Sequence, residues 1–168
     1  MAAPAALHAQ EADLAPFVAA FQAKGFDATE RAIGALAATG DPRVVPVLET
    51  LAAGNLYVVK ADRSVVRAER GGAGYLISDP LTGAERGELG RRAVSKVKVN
   101  NNLRRVISAA MGSLTLRAAD ADVRRDAAEA VFTSQDAGAL ESLEAALAAE
   151  QDSGVRQLME EARAAILL

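Results

Sequence analysis

Cysteine is absent from the 168 residues and histidine occurs once, as His8. Without cysteine there are no disulfides, no thiolate metal sites and no thiol redox chemistry. The compartment stays open, because many exported proteins also lack the residue. His8 falls in an Ala-rich leading segment, so the folded body has no imidazole for a Ser-His pair or a metal-histidine cluster. Tryptophan is missing and aromatics make up only 4%, so the 51% hydrophobic share is mostly Ala, Leu and Val. That mixture suits close helix packing better than a sandwich. Nor is there a run of about 18 apolar residues, the length a bilayer-crossing helix needs. Positive charge is not in excess: the net charge of −3 removes any general attraction to nucleic acid. With 24% charged residues the chain has the composition of an ordinary globular protein.

What is present is an internal repeat. Leu36, Asp41, Val45, Leu48 and Glu49 recur as Val131, Asp136, Leu140, Leu143 and Glu144, at the constant offset of 95 that separates Asp41 from Asp136. Each copy reads as an apolar helix, a tight polar break and a second apolar helix. One such unit cannot bury its own apolar face and must stack on neighbours. The expectation is a mainly α fold: HEAT-like stacked helical hairpins with a small β-rich insertion, in a single helical-repeat domain over residues 11–168.

Residues 1–10 read as the remnant of a secretory signal, with small residues leading to a cleavage after Ala9, or as an Ala-rich tail. Asp13 caps a first helix carrying Leu14, Phe17, Val18 and Phe21, which Gly25 ends. Asp27 and Glu30 have capping-box spacing for a second helix with Ile33 and Leu36, closed by Gly40. Pro42 opens a third with Val44, Val45, Leu48 and Leu51, in which Pro46 is expected to make a kink. The β-rich insertion occupies about 55–99. Leu56 to Lys60 and Ser64 to Ala68 form a hairpin, Tyr75-Leu76-Ile77 offers another strand, and Asp79-Pro80-Leu81-Thr82-Gly83 a turn. A helix capped within Asn100-Asn101-Asn102 carries Leu103, Val106, Ile107, Ala110, Met111 and Leu114. Helices capped by Asp120 or Asp122, by Asp136 and by Asp152 complete the chain. The last ends on Ile166-Leu167-Leu168 with no polar closing repeat, and the natural chain is expected to continue beyond it.

Several features invite a functional reading. Arg86, Arg91, Arg92, Lys96, Lys98, Arg104 and Arg105 form a basic cluster, softened by Glu85 and Glu88. It reads first as a solvated face, and as a docking surface it would meet an anionic partner. Gly71-Gly72-Ala73-Gly74 lacks the Lys-Ser or Lys-Thr of a phosphate loop and fits a hairpin connection better. One Asn of the triplet suffices for capping, leaving a surplus. Asp120, Asp122, Asp126, Glu160 and Glu161 fall where caps and solvated helix faces account for them. Tyr57 and Tyr75 fit the small core of the insertion. Catalytic, cofactor-binding and metal-ligating residues are therefore not expected, nor is enzyme activity.

Five phrases occur in order: Gly40-Asp41-Pro42-Arg43 with Pro46-Val47-Leu48-Glu49; Leu56-Tyr57-Val58 with Lys60; Asp79-Pro80-Leu81-Thr82-Gly83; Val99-Asn100-Asn101 with Leu103-Arg104-Arg105; and Gly112-Ser113-Leu114-Thr115-Leu116. Together they resemble the amino-terminal region of the urea ABC transporter permease, the B subunit related to branched-chain amino acid permeases. The resemblance implies a soluble extracytoplasmic domain, following a signal sequence and attached to the inner membrane through the permease portion of the same chain. Its expected partners are that membrane portion and the periplasmic urea-binding protein, in a docking or regulatory role. The family's conduction path lies in membrane helices, so no transport residue carries over. The repeat alone would equally allow a free-standing helical-repeat adaptor for protein–protein interaction.

Overall fold

The computed structural model describes residues 13–168, so the expected tail at 1–10, with His8 and the cleavage after Ala9, lies outside the described residues. Leu14 and Val18 bury one side of α1 (Ala15–Ala19), and a 3-10 turn, Ala20–Gln22, continues it to the buried Phe21. The Asp13 carboxylate accepts the Ala15 N–H at 3.1 Å, but from one position before the N-cap, which is Leu14 and carries no side-chain cap. Helix α2 (Phe26–Ala38) begins differently from expectation. Gly25, at φ 103, turns the chain straight into the helix, so Asp27 sits inside the first turn and caps nothing.

Helix α3 (Val45–Ala52) is preceded by a 3-10 turn, Pro42–Val44, whose start is capped by Asp41. This removes the expected kink. Pro46 lies in the first turn of α3, where its missing N–H has no intrahelical partner to lose. The sequence repeat survives at this level: a second 3-10 turn, Ala137–Ala139, capped by Asp136, leads into α6 (Leu140–Ala149) at the same offset. Helix α4 (Asn101–Leu116) is capped by Asn100, whose Oδ1 accepts the Leu103 N–H at 2.8 Å. Asp120 caps α5 (Ala121–Ser134) and Asp152 caps α7 (Ser153–Leu167).

Between α3 and α4 lie β1 (Leu56–Val59), β2 (Val65–Arg70), β3 (Tyr75–Ser78), β4 (Glu85–Leu89) and β5 (Val94–Lys96). They form one antiparallel sheet in the order β4-β3-β2-β1-β5. Its two edge strands are joined by only residues 90–93, closed into a turn by the Ala93 N–H to Gly90 carbonyl bond of 2.9 Å. Such a connection reaches about 15 Å, whereas the edges of a flat five-stranded sheet stand about 19 Å apart. The sheet must curl. Tyr57, Val59, Val66, Ala68, Ile77 and Val94 bury one another inside the curl. Leu56, Val58, Val65 and Val97 point the other way and join Phe21, Ile33, Leu36, Leu48, Leu103 and Ile107 in the main helical core. Strand β1 is thus buried on both faces, which is why it reads as an unbroken apolar run.

The expected mainly α, HEAT-like stack with a small insertion is therefore corrected. The fold is mixed, seven α-helices and a five-stranded antiparallel sheet among the described residues, and one face of the sheet is a wall of the principal core. The helices adjacent in the repeat are not each other's main partners either. Helix α2 packs on α4, α4 on both α5 and α6, and α5 most extensively on α7. A second core, with Leu116, Ala128, Val131, Leu143, Ala146, Val155, Met159 and Ala162, fills that carboxy-terminal part. Leu56, Val58, Val65 and Val97 complete the core of α1 to α4, so the sheet takes the place there of a further helical hairpin.

Candidate functional site

The structure separates the residues of the sequence's basic cluster. Arg86 lies at the β3–β4 irregularity, where it reinforces the lowering of the Asp62 carboxyl, due chiefly to the Ser64 hydroxyl. It acts likewise on Asp79, whose burial is outweighed by the Thr82 and Leu81 N–H groups that bond its carboxylate. Its field is thus spent on nearby acids. Arg91 and Arg92 are exposed on the β4–β5 turn, and Arg91 stands near Tyr75. Arg104 donates to the Ala52 carbonyl at 3.0 Å, tying α4 to the end of α3, and Arg105 is exposed on α4. Of the cluster, Lys96 and Lys98 line a concave site.

That site is a cleft of about 450 Å³ between the turn over residues 21–26 and the outer edge of β5. The turn is held by two devices. Gly25 takes a φ that a side chain would strain, and Arg63, itself at φ 64 in the β1–β2 turn, donates from Nη2 to the Gln22 carbonyl at 2.8 Å. On the other wall, Ser95 pairs with Val58 and Lys96 with Tyr57, and the Val97 N–H to Leu56 carbonyl bond of 2.9 Å carries the ladder on towards Lys98. Gly54, at φ 73, leaves room for Lys96: a Cβ there would stand 2.7 Å from its Nζ. Phe21, Val58 and Val97 close the back of the cleft, and Phe26, 45% exposed, forms its open apolar wall.

Lys24, Arg63, Lys96 and Lys98 line this cleft with no carboxylate beside them, and none has an ion-pair partner among the described residues. The nearest acids in sequence are engaged elsewhere. Asp62 accepts the Ser64 N–H and hydroxyl at 2.9 and 2.7 Å, and Asp27 lines a separate depression with Glu30 and Arg31. Lys24 and Arg63 lie outside the sequence's basic cluster, 39 positions apart from one another. No linear pattern joins them; only the pairing of β1 with β5 and the packing of α1 against α2 bring them together.

The other sequence features settle into structural roles. The glycine run is the β2–β3 turn, with the Gly71 N–H bonded to the Gly74 carbonyl at 3.0 Å, and no helix follows it. Tyr57 and Tyr75 pack with ring centroids 5.0 Å apart and planes tilted by 44°, their hydroxyls 3.4 Å apart. Part of the Asn surplus is used, since Asn102 donates to Glu30 at 3.3 Å. Asp120 is a cap and Asp122 pairs with Arg125. No group of three His, Asp or Glu side chains is placed to share a metal ion among the described residues.

Sequence reasoning also missed a polar joint. Arg124 grips the Glu150 carboxylate through Nε at 2.6 Å and Nη2 at 3.0 Å, while its Nη1 donates to the Ala118 and Ala119 carbonyls at 2.8 Å each. Glu150 Oε1 also accepts the Gln151 and Asp152 N–H groups, and Arg156 donates to the Glu150 carbonyl. The Arg124 hydrogen bonds outweigh burial and hold the Glu150 carboxyl down at about 2. Among the described residues no buried side-chain polar atom is left without a partner, and the joint locks the α4–α5 and α6–α7 turns together. An Arg and a Glu 26 residues apart carry no signal in the sequence.

No family model, no curated protein and no solved structure matches this chain. No helix of the described residues is long and apolar enough to cross a membrane.

Proposed function

We propose that this chain is the soluble extracytoplasmic part of a urea ABC transporter permease, attached to the inner membrane through the rest of the same polypeptide, and that it docks the periplasmic urea-binding protein. One observation carries the docking role. In a chain of net charge −3, cations with no ion-pair partner among the described residues gather on one side, at the β5 edge and the turn before α2. Such a patch draws an acidic partner at long range and sets its register more than its affinity. The family part rests on the order and spacing of the five phrases. Asp41 and Asn100 are helix caps, and Asp79 organises the β3–β4 turn through the Leu81 and Thr82 N–H groups, at 2.9 Å each.

Two measurements test the proposal. Reading the gene downstream of Leu168 should show membrane spans; a stop codon there defeats the permease assignment. In the full-length permease, the combined reversals Lys24→Glu, Lys96→Glu and Lys98→Glu should weaken capture of the urea-binding protein by about tenfold, with a salt dependence that the variant loses. The parallel reversal of Arg91 and Arg92 to Glu tests the exposed β4–β5 turn. Capture that both sets leave intact removes the docking role.

A further inference from the structure

Flat charge complementarity needs neither depth nor an aromatic wall, and the cleft has both. We infer that it is a binding site for a small organic acid, an apolar body bearing a carboxylate, whatever larger assembly the chain joins. Four cationic residues line a concavity of about 450 Å³, with no acid among its lining in the described residues. Its size lies in the range of small-molecule sites, which combine an apolar lining with a few convergent polar groups.

The composition of the walls narrows the ligand. A neutral apolar molecule would cover Phe26 and leave the ammonium groups of Lys24, Lys96 and Lys98 facing it. A bare inorganic anion would satisfy the charges and leave Phe26 in water. A phosphate site usually adds a nest of backbone N–H groups or arginine forks. Here the single arginine already commits one Nη to the Gln22 carbonyl, and the other three cations are lysines, flexible point charges that attract an anion without imposing a fork geometry on it. An acid with an aromatic or aliphatic body lays that body on Phe26 and its carboxylate among the lysines.

The test uses phenylacetate, its neutral isostere phenylacetamide, and acetate, each titrated into the chain while backbone amide shifts are followed by nuclear magnetic resonance. Phenylacetate should shift Phe26, Ser95 and Val97 saturably, phenylacetamide should not, and acetate should bind more weakly at the same place. The exposed double variant Lys96→Glu/Lys98→Glu should weaken phenylacetate binding by about tenfold, the combined worth of two partly exposed ion pairs. Phe26→Ala should bring phenylacetate down to the level of acetate. Thermal unfolding confirms that the variants fold. Should the double variant not fold, Lys24→Glu, on the exposed turn, takes its place with a smaller expected loss. Equal binding of the amide, equal binding of acetate, shifts that do not saturate, or shifts away from the cleft each overturn the inference. None of these outcomes depends on the permease reading, which is tested in the full-length chain with a protein partner.

Discussion

Replacing Glu150 by Gln tests the joint between the α4–α5 and α6–α7 turns. The substitution keeps the shape and removes the charge, placing an amide N–H where Arg124 expects an acceptor. Glu150 is 6% exposed and its carboxyl is held at about 2 against an ordinary 4.5, chiefly by the Arg124 hydrogen bonds, with the Asp152 and Gln151 N–H groups adding to them. Because the folded value lies below the unfolded one, the stabilisation is fully present above pH 4.5 and is lost as the pH falls towards 2. For a fully sequestered group that shift would be worth about 3 kcal/mol. The carboxylate lies beside an open groove lined by Arg117 and Gln151, and solvent screening there brings the figure to about 1.5 kcal/mol. Urea denaturation of the parent and the variant across this range is the assay. Near neutral pH Glu150→Gln should be less stable by about 1–2 kcal/mol, and the two curves should converge as the parent carboxylate is protonated. A difference that stays constant down to pH 2 would refute the electrostatic argument and leave only packing.

Two further substitutions follow from the core and the sheet. A Cβ at Gly74 would stand 2.2 Å from the Leu89 carbonyl oxygen. Gly74→Ala should therefore force β4 away from β3 and cost about 1–3 kcal/mol, seen as lost hydrogen-exchange protection in those strands; unchanged protection would contradict the close approach. Leu143 is fully buried in the carboxy-terminal core, and Leu143→Ala should cost about 2–5 kcal/mol. Since α4 contributes Leu103, Ile107 and Leu114 to one core and Leu116 to the other, helix and sheet signals should still melt together. Separate transitions would show that α4 does not couple the two.

The local grammar of the chain was readable without coordinates. Asp41, Asn100, Asp120, Asp136 and Asp152 each bond a first-turn N–H, because a short acceptor before an apolar stripe has few better uses. The hairpin of β1 and β2 was legible from its β-branched runs. Strand β4 was not. Glu85 to Glu88 are exposed and only Leu89 is half-buried, so there is little apolar pattern, and it is a strand because β3 offers an edge to pair with. Gly25 displaced the expected capping box because a positive φ ends the preceding turn sooner than Asp27 can act. Pro46 was read as a kink because the periodicity runs on through it, whereas the 3-10 turn before Val45 moves the helix start.

Composition and spacing by themselves determined that the chain is helix-rich, that Asp-capped turns recur at Asp41 and Asp136, and where α4, α5 and α7 begin, since these depend on residues within a turn or two of each other. Only the tertiary structure decided that the sheet shares the principal core, that Arg124 meets Glu150, and that Lys24 and Arg63 join Lys96 and Lys98 around one cleft. Those outcomes depend on strand order and on which helices pack. Charge clustering along a chain says nothing of charge clustering in space once the chain has folded back on itself.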